Sequence, residues 1–400
     1  MDAIDYIELK NSLHISKYDS VRFVLNNGDG RYYLVNEKTQ QLVSDLKKRD
    51  SWEEAHQHFS ENEDEEMPLQ DFKAFIQSLL HIDIREEPRR NKTFLRLRLT
   101  LVNAKGAGSL SRILTFLFSR DIFFYLFVFF ILTDVSFLLF TRGDFSVSGY
   151  GWEYAVILGL YIFSVILHEL GHITACRRFG AKHGGVGVGF YLVIPVFWAD
   201  VTGLWMLPRK KRIITNLAGI HTQLFVSTVM IASYFVTGKS FLLVAADLIT
   251  LTSLFQLWPF MRYDGYWILS DAFETPNLMK TAMLRLKELL FEWIGKIEGR
   301  KRNKKEWLII LYAFSNTLLT ILYIVYVVVN NKELLIHYPT ITLKLTTELV
   351  QEHSVGIDAL FNYSIVTLFY YIVLKKSLKI LLKLISYNKR KILGLISVNA

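Results

Sequence analysis

His168-Glu169-Leu170-Gly171-His172 places two imidazoles four residues apart, with a carboxylate beside the first. On an α-helix this spacing brings both rings to one face, where they can grip a single metal ion. Glu169 then stands ready to take a proton from a water activated there, the chemistry of metal-assisted hydrolysis. The five residues lie in Tyr154–Ala175, a run of mostly Val, Ile, Leu, Phe and Tyr long enough to cross a membrane. Ionisable side chains are costly in hydrocarbon, so three within one turn require compensation. A metal centre supplies it.

A catalytic zinc takes three protein ligands and keeps an open position. Carboxylates in apolar surroundings are few elsewhere: Asp134, Asp200, Asp247, Asp264 and Asp271. Asp264 stands out, in Leu257-Trp258-Pro259-Phe260-Met261-Arg262-Tyr263-Asp264-Gly265-Tyr266. Pro259 ends the apolar run before it, and Gly265 lets the backbone bend beside the carboxylate. Two imidazoles and a carboxylate suit Zn2+ better than other divalent metals. His221 reads as a hydrogen-bonded structural residue. Asp134 and Asp247 read as structural or cavity-facing, and Asp200 as a group that orients another. The lone cysteine, Cys176, excludes an intramolecular disulfide and reads as packing.

The elements that must position these residues are mostly membrane helices. The 400 residues are 52% hydrophobic and 14% aromatic, with mean hydropathy +0.27, which is too apolar for an ordinary soluble protein. The first hundred residues are polar and mixed and lack the apolar core of a signal peptide, so insertion is expected from an internal span. Residues 1–87 carry 10 Lys and Arg against 19 Asp and Glu, a net −9, and the remainder carries 36 against 18, a net +18. The basic excess clusters between apolar runs, which points to membrane orientation and not to nucleic-acid binding.

The expected fold is mostly α: a multi-pass membrane protein with about six transmembrane helices and a re-entrant segment, plus a small N-terminal α/β winged-helix-like domain over residues 1–88. In that domain, β-rich runs at 21–26 and 31–35 flank Asn27-Gly28-Asp29-Gly30, a hairpin signal. A strand is expected near 7–15, with helices near 37–49, 51–60 and 68–81. Ser51 with Glu54 suggests a capping box, and Pro68 suits a first helical turn. Glu61–Glu66 reads as a solvated acidic loop. A basic linker spans 89–120, part of it on the membrane surface. The catalytic core spans 121–275, and a basic segment, two further helices and a basic amphipathic tail (about 379–395) span 276–400.

Spans of about 20 residues are expected near 121–141, 152–176, 213–236, 240–259, 307–329 and 357–375. Arg177, Arg178 and Lys182, then Arg209–Arg212, then Arg300–Lys305, then Lys375–Lys383 all fall on one side if both termini are cytoplasmic in the cell membrane. The loops near 142–150 and 330–355 would face outward. The apolar Gly184–Thr202 segment lies between two clusters on the same side. It therefore cannot cross simply, and it reads as a re-entrant, partly extended loop whose backbone must be buried by protein.

His168-Glu169-x-x-His172 followed by Pro259-x-x-x-x-Asp264-Gly265 resembles the site-2 protease family of intramembrane zinc metalloproteases, over roughly residues 120–275. The resemblance implies that His168, His172 and Asp264 hold zinc, that Glu169 is the catalytic base, and that Gly184–Thr202 aligns substrate. Two positions depart from the family: Gln256 stands where an Asn is common, which implies a substrate-binding amide of different reach, and Leu217-Ala218-Gly219-Ile220 replaces Ala-Gly-Pro. A hairpin followed by three helices in the first 90 residues resembles the PqqD-like peptide-recognition domain. That likeness implies a leader peptide added as a strand beside 31–35 and packed on the helix near 69–80. The combination resembles the peptide zinc metalloproteases of bacterial modified-peptide operons. It implies a zinc metalloendopeptidase that matures a small ribosomally made precursor, with membrane lipid and a peptide exporter as further partners and no nucleic acid. Cleavage of a membrane-spanning regulator or signal-peptide remnant is an alternative. A non-enzymatic role in peptide export or immunity is another.

Overall fold

A computed structural model describes residues 6–19, 21–28, 32–63, 67–79, 95–119, 122–141, 151–191, 194–338 and a few positions from 340 to 374. These divide into two compact units, one running through Leu278 without 190–194, the other comprising 190–194 and the chain from Met279.

The first unit opens with α1 (Tyr6–Ser12), β1 (His14–Lys17), β2 (Phe23–Asn26), β3 (Tyr32–Val35), α2 (Glu37–Lys48), α3 (Trp52–Glu63) and α4 (Leu69–Leu79). The strands form an antiparallel sheet in the order β1-β2-β3, with Lys17 opposite Phe23 and Asn26 opposite Tyr32. The strand expected near 7–15 begins only at His14. Before it, Tyr6, Leu9 and Leu13 recur at helical spacing and bury one face, and the Tyr6 hydroxyl donates to the Leu46 carbonyl at 2.7 Å. Asn36 caps α2 by accepting from the Thr39 N–H. At α3, Ser51 Oγ accepts from the Glu54 N–H, while the Glu54 carboxylate reaches the N–H of Asp50. The helices pack on the sheet through Leu13, Leu25, Val43, Trp52, Phe72 and Ile76. Of the expected acidic loop, Glu61–Glu63 extend α3, and the remainder, with most of the hairpin tip, lies outside the described residues.

The unit continues with β4 (Leu95–Val102), α5 (Ala104–Leu110), a 3₁₀ turn (Ser111–Phe118), α6 (Phe123–Thr141), α7 (Gly151–Arg178), β5 (Val186–Tyr191), β6 (Ile194–Ala199), a second 3₁₀ turn (Thr202–Met206), α8 (Arg209–Thr237), α9 (Phe241–Gln256) and α10 (Asp264–Ala272). The described part of the expected basic linker is structured. Leu95-Arg96-Leu97-Arg98-Leu99-Thr100-Leu101 alternates with period two and forms β4, which joins β5 and β6 in the order β4-β5-β6. Ala107, Leu114, Leu117 and Phe118 then enter the core with Leu170, Ile173, Ala218 and Leu224.

The segment expected to be re-entrant folds as β5 and β6, neighbouring strands of the sheet, with 192–193 between them outside the described residues. Its base is closed by Gly184 N–H to the Asp200 carbonyl (2.7 Å) and Asp200 N–H to the Gly185 carbonyl (3.0 Å). Gly187 is obligatory, because a Cβ there would run into the Leu99 carbonyl and the Trp198 ring.

Helices α6, α7 and α8 are each long and apolar enough to cross a membrane, as is α12 (Lys304–Asn330) of the second unit. They coincide with four of the expected spans. The span expected at 240–259 is the shorter apolar helix α9, which ends at Gln256 in a turn leading to Pro259. Helix α8 stops at Gly238, whose φ of +66° closes a left-handed cap on the Tyr234 carbonyl. The second unit contains α11 (Leu278–Trp293), α12 and α13 (Lys332–Ile336). Asn303 and Glu306 form a capping box at the start of α12, and Arg302 pairs with Glu292. The span expected at 357–375, the loops near 142–150 and 330–355 and the C-terminal tail lie wholly or largely outside the described residues.

Candidate metal centre

Near the C-terminal end of α7, His168, Glu169 and His172 are all buried. Helix α8 packs along this face, and small residues at the crossing let it approach. A Cβ on Gly171 would strike Thr222 and the Ala218 carbonyl; a Cβ on Gly219 would sit 2.5 Å from His172 Nε2 and against His168 Nε2. Asp264 opens α10, where the positive helix end favours a carboxylate. Its approach depends on Gly265, whose missing side chain lets α10 fold back against the Leu257 carbonyl. The structure thus brings together the three residues singled out from the sequence.

The rings are aimed from behind. His172 Nδ1 lies 2.7 Å from the Thr215 carbonyl, and His168 Nδ1 lies 3.0 Å from Gln223 Oε1. The Gln256 amide also donates to that oxygen (3.2 Å), and Ser253 Oγ lies 3.3 Å from it. Each Nδ1 thus faces an oxygen acceptor, which favours a proton there and leaves Nε2 as the nitrogen available to a metal. The two Nε2 atoms are 3.1 Å apart, and Asp264 Oδ2 lies 3.1 Å from one and 3.3 Å from the other. Asp264 Oδ2 is buried and makes no directed hydrogen bond among the described residues.

With both Nδ1 atoms protonated, the two Nε2 atoms and Asp264 Oδ2 would turn three lone pairs toward one point, an arrangement that a cation stabilises. The edges of this triangle match the roughly 3.3 Å edge of a tetrahedron about an ion 2.0–2.1 Å from each ligand. Among the described residues, His168, His172 and Asp264 are the group of His, Cys, Asp or Glu close enough to share an ion. Two imidazoles and one carboxylate leave a fourth position open, and the donor set fits zinc. Glu169 projects beside this group, with the backbone N–H of Ala199, at the end of β6, directed at its carboxylate.

Gln223 and the Thr215 carbonyl carried no motif signal, although Gln223 lies one helical turn from Gly219. Gln256 belongs to the network behind His168. Gln223→Leu fills the same space but removes the acceptor from His168 Nδ1, so zinc affinity is expected to fall about 10–100-fold, measured by chelator competition on the purified chain.

The remaining polar candidates lie apart from this group. His221 Nε2 meets the Leu117 carbonyl at 3.1 Å, amid Phe118, Phe123, Phe127 and Phe130. Thr228 donates to Asp134 and Thr141 to Asp247. Asp200 accepts from Thr202 at the hairpin base, and Cys176 is buried against the Ala181 and Lys182 carbonyls.

The chain is similar to the curated Bacillus subtilis (strain 168) protein named "Putative peptide zinc metalloprotease protein YydH", being 35% identical to it over 156 residues. The match spans 37% of this chain and 61% of the relative's length. No family model matches the chain, and no solved structure matches it.

Proposed function

We propose that this chain is a membrane-embedded zinc metalloendopeptidase that matures a small ribosomally made precursor peptide. The observation that carries the reading is the convergence of His168 Nε2, His172 Nε2 and Asp264 Oδ2 within 3.3 Å, with Glu169 beside them. The likeness to a protein named for peptide zinc metalloprotease activity supports it. So do helices long enough to cross a membrane. The basic clusters favour an arrangement with both termini in the cytoplasm of a bacterial cell.

Zinc, when bound, supplies Lewis acidity and brings the pKa of a coordinated water to about 7. The protein's own groups do the rest. Glu169 accepts the proton of the attacking water and returns it to the departing amine nitrogen. Gln223 and the Thr215 carbonyl hold the two imidazoles in the tautomer that keeps Nε2 bare. β6 is the outer strand of its sheet and ends at Ala199 beside Glu169, so an extended substrate added along it would bring its backbone to the carboxylate. In the N-terminal domain, β3 is likewise an outer strand and offers a leader peptide the same mode of binding.

The test is cleavage in membranes of the small precursor encoded nearest this gene, with and without its leader. Expected are cleavage by the wild type, loss on chelation, restoration by zinc, and much slower cleavage of the leaderless peptide. Cleavage indifferent to chelation overturns the zinc mechanism. Equal cleavage of both peptides overturns leader recognition and favours a membrane-spanning substrate.

A further inference from the structure

Arg212 is the one residue of the basic first turn of α8 that faces inward, and it is fully buried. Its Nε donates to Asp271 Oδ1 at 2.6 Å and its Nη1 to the Leu207 carbonyl at 3.0 Å. Asn216 donates to Asp271 Oδ2 at 3.0 Å. These bonds clamp α8 to α10. Both helices carry parts of the metal centre close by. Thr215, whose carbonyl orients His172, precedes Asn216, and Asp264 opens the helix that Asp271 helps to close. The register between α8 and α10 therefore sets the distance between Asp264 and the imidazoles.

A buried ion pair is costly to desolvate, and it holds its geometry only if water stays out and its remaining surface is covered. Here the cover comes from the N-terminal domain. The Tyr18 ring lies over the Arg212 guanidinium, 4.2 Å from carbon to centroid, a stacking to which the planar guanidinium is suited. Tyr18 is itself buried and stacks on Trp205 of the second 3₁₀ turn at 5.9 Å. Burial pushes the Tyr18 hydroxyl up to about 12, and its oxygen makes no hydrogen bond among the described residues. The ring face is thus what this residue contributes. Four residues on, Arg22 donates to the Glu274 carbonyl at 2.7 Å, just past α10.

We propose that the N-terminal domain is a working part of the metal centre: Tyr18 seals the Arg212–Asp271–Asn216 clamp, and the sealed clamp holds Asp264 and the Thr215 carbonyl in register with His168 and His172. Tyr18, Arg212 and Asp271 are positioning residues. None of them belongs to the candidate ligand group of His168, His172 and Asp264. The inference rests on reading His168, His172 and Asp264 as metal ligands.

Cobalt titration of the purified full-length chain in detergent tests it, because tetrahedral Co2+ reports its ligand geometry through its visible d–d band. The wild type and Tyr18→Phe, which keeps the ring, are expected to bind cobalt with the same affinity and spectrum. Tyr18→Leu is expected to bind about tenfold more weakly with an altered band, in the range seen when groups behind metal ligands are lost. Trp205→Leu, made on the opposite side of the contact, is expected to reproduce that loss with the N-terminal domain's own sequence untouched. Wild-type binding by either leucine variant overturns the proposal. So does damage in Tyr18→Phe equal to that in Tyr18→Leu, because the ring face would then be irrelevant. A wild-type chain that binds no cobalt removes the metal-centre reading, and this inference with it.

Discussion

Glu169→Gln is expected to lower peptide cleavage by about 10²–10⁴-fold while leaving zinc bound, the loss typical of removing a positioned general base. The carboxamide has the shape of the carboxylate and keeps a hydrogen-bonding oxygen for the Ala199 N–H. It cannot accept the proton of the attacking water. Metal content, measured on the same preparation, separates this effect from a collapsed site: His168, His172 and Asp264 are untouched, so zinc stoichiometry stays at the wild-type value. Cleavage at the wild-type rate would place the base elsewhere. It would also turn attention to a binding role for the chain, since two imidazoles and a carboxylate can hold zinc without hydrolysing anything.

Gly219→Ala is expected to abolish metal binding as thoroughly as removing a ligand, with affinity lowered by more than about 100-fold. The reason is steric. The added methyl lands 2.5 Å from His172 Nε2 and against His168 Nε2, in the space that both lone pairs address. Neither ring can retreat without losing its Nδ1 hydrogen bond, to Gln223 or to Thr215. Chelator competition measures the loss, and the helical circular dichroism of the variant checks that α7 and α8 still form. Retention of wild-type affinity would mean that the two helices cross with more freedom than the packing of Gly171 against Thr222 allows.

The candidate triad of His168, His172 and Asp264 was legible in the sequence because its residues are rare where they stand. Two His and a Glu within an apolar run, and an Asp-Gly after a Pro that ends another, are expensive to keep without a purpose. The long helices were legible for the same reason, since uninterrupted apolar length has few other solutions. What stayed hidden was of two kinds. Gln223 and Thr215 act through a helix crossing, and Ala218-Gly219, although noted in the sequence, does not announce which face of α8 meets α7. β4 was masked by its own charge: Arg96 and Arg98 alternate with leucines at strand spacing, yet basic residues between apolar runs also mark membrane orientation. Tyr6 to Leu13 was ambiguous between periods of two and 3.6, and the burial of Tyr6, Leu9 and Leu13 on a common face decides it. The tie from Tyr18 to Arg212 joins segments far apart in the chain and has no local signature.

Arg22 and Glu274 meet although they stand 252 positions apart in the chain, and Tyr18 waits for Trp205 and Arg212 in the same way. During synthesis the N-terminal domain emerges first, but its seat is made last. His168 and His172 are inserted while Asp264 is still untranslated. The group of His168, His172 and Asp264 therefore cannot be complete before the chain has passed Asp264, nor can the tie from Arg22 close before it has passed Glu274. Until then the growing polypeptide carries two imidazoles without the carboxylate that completes their group.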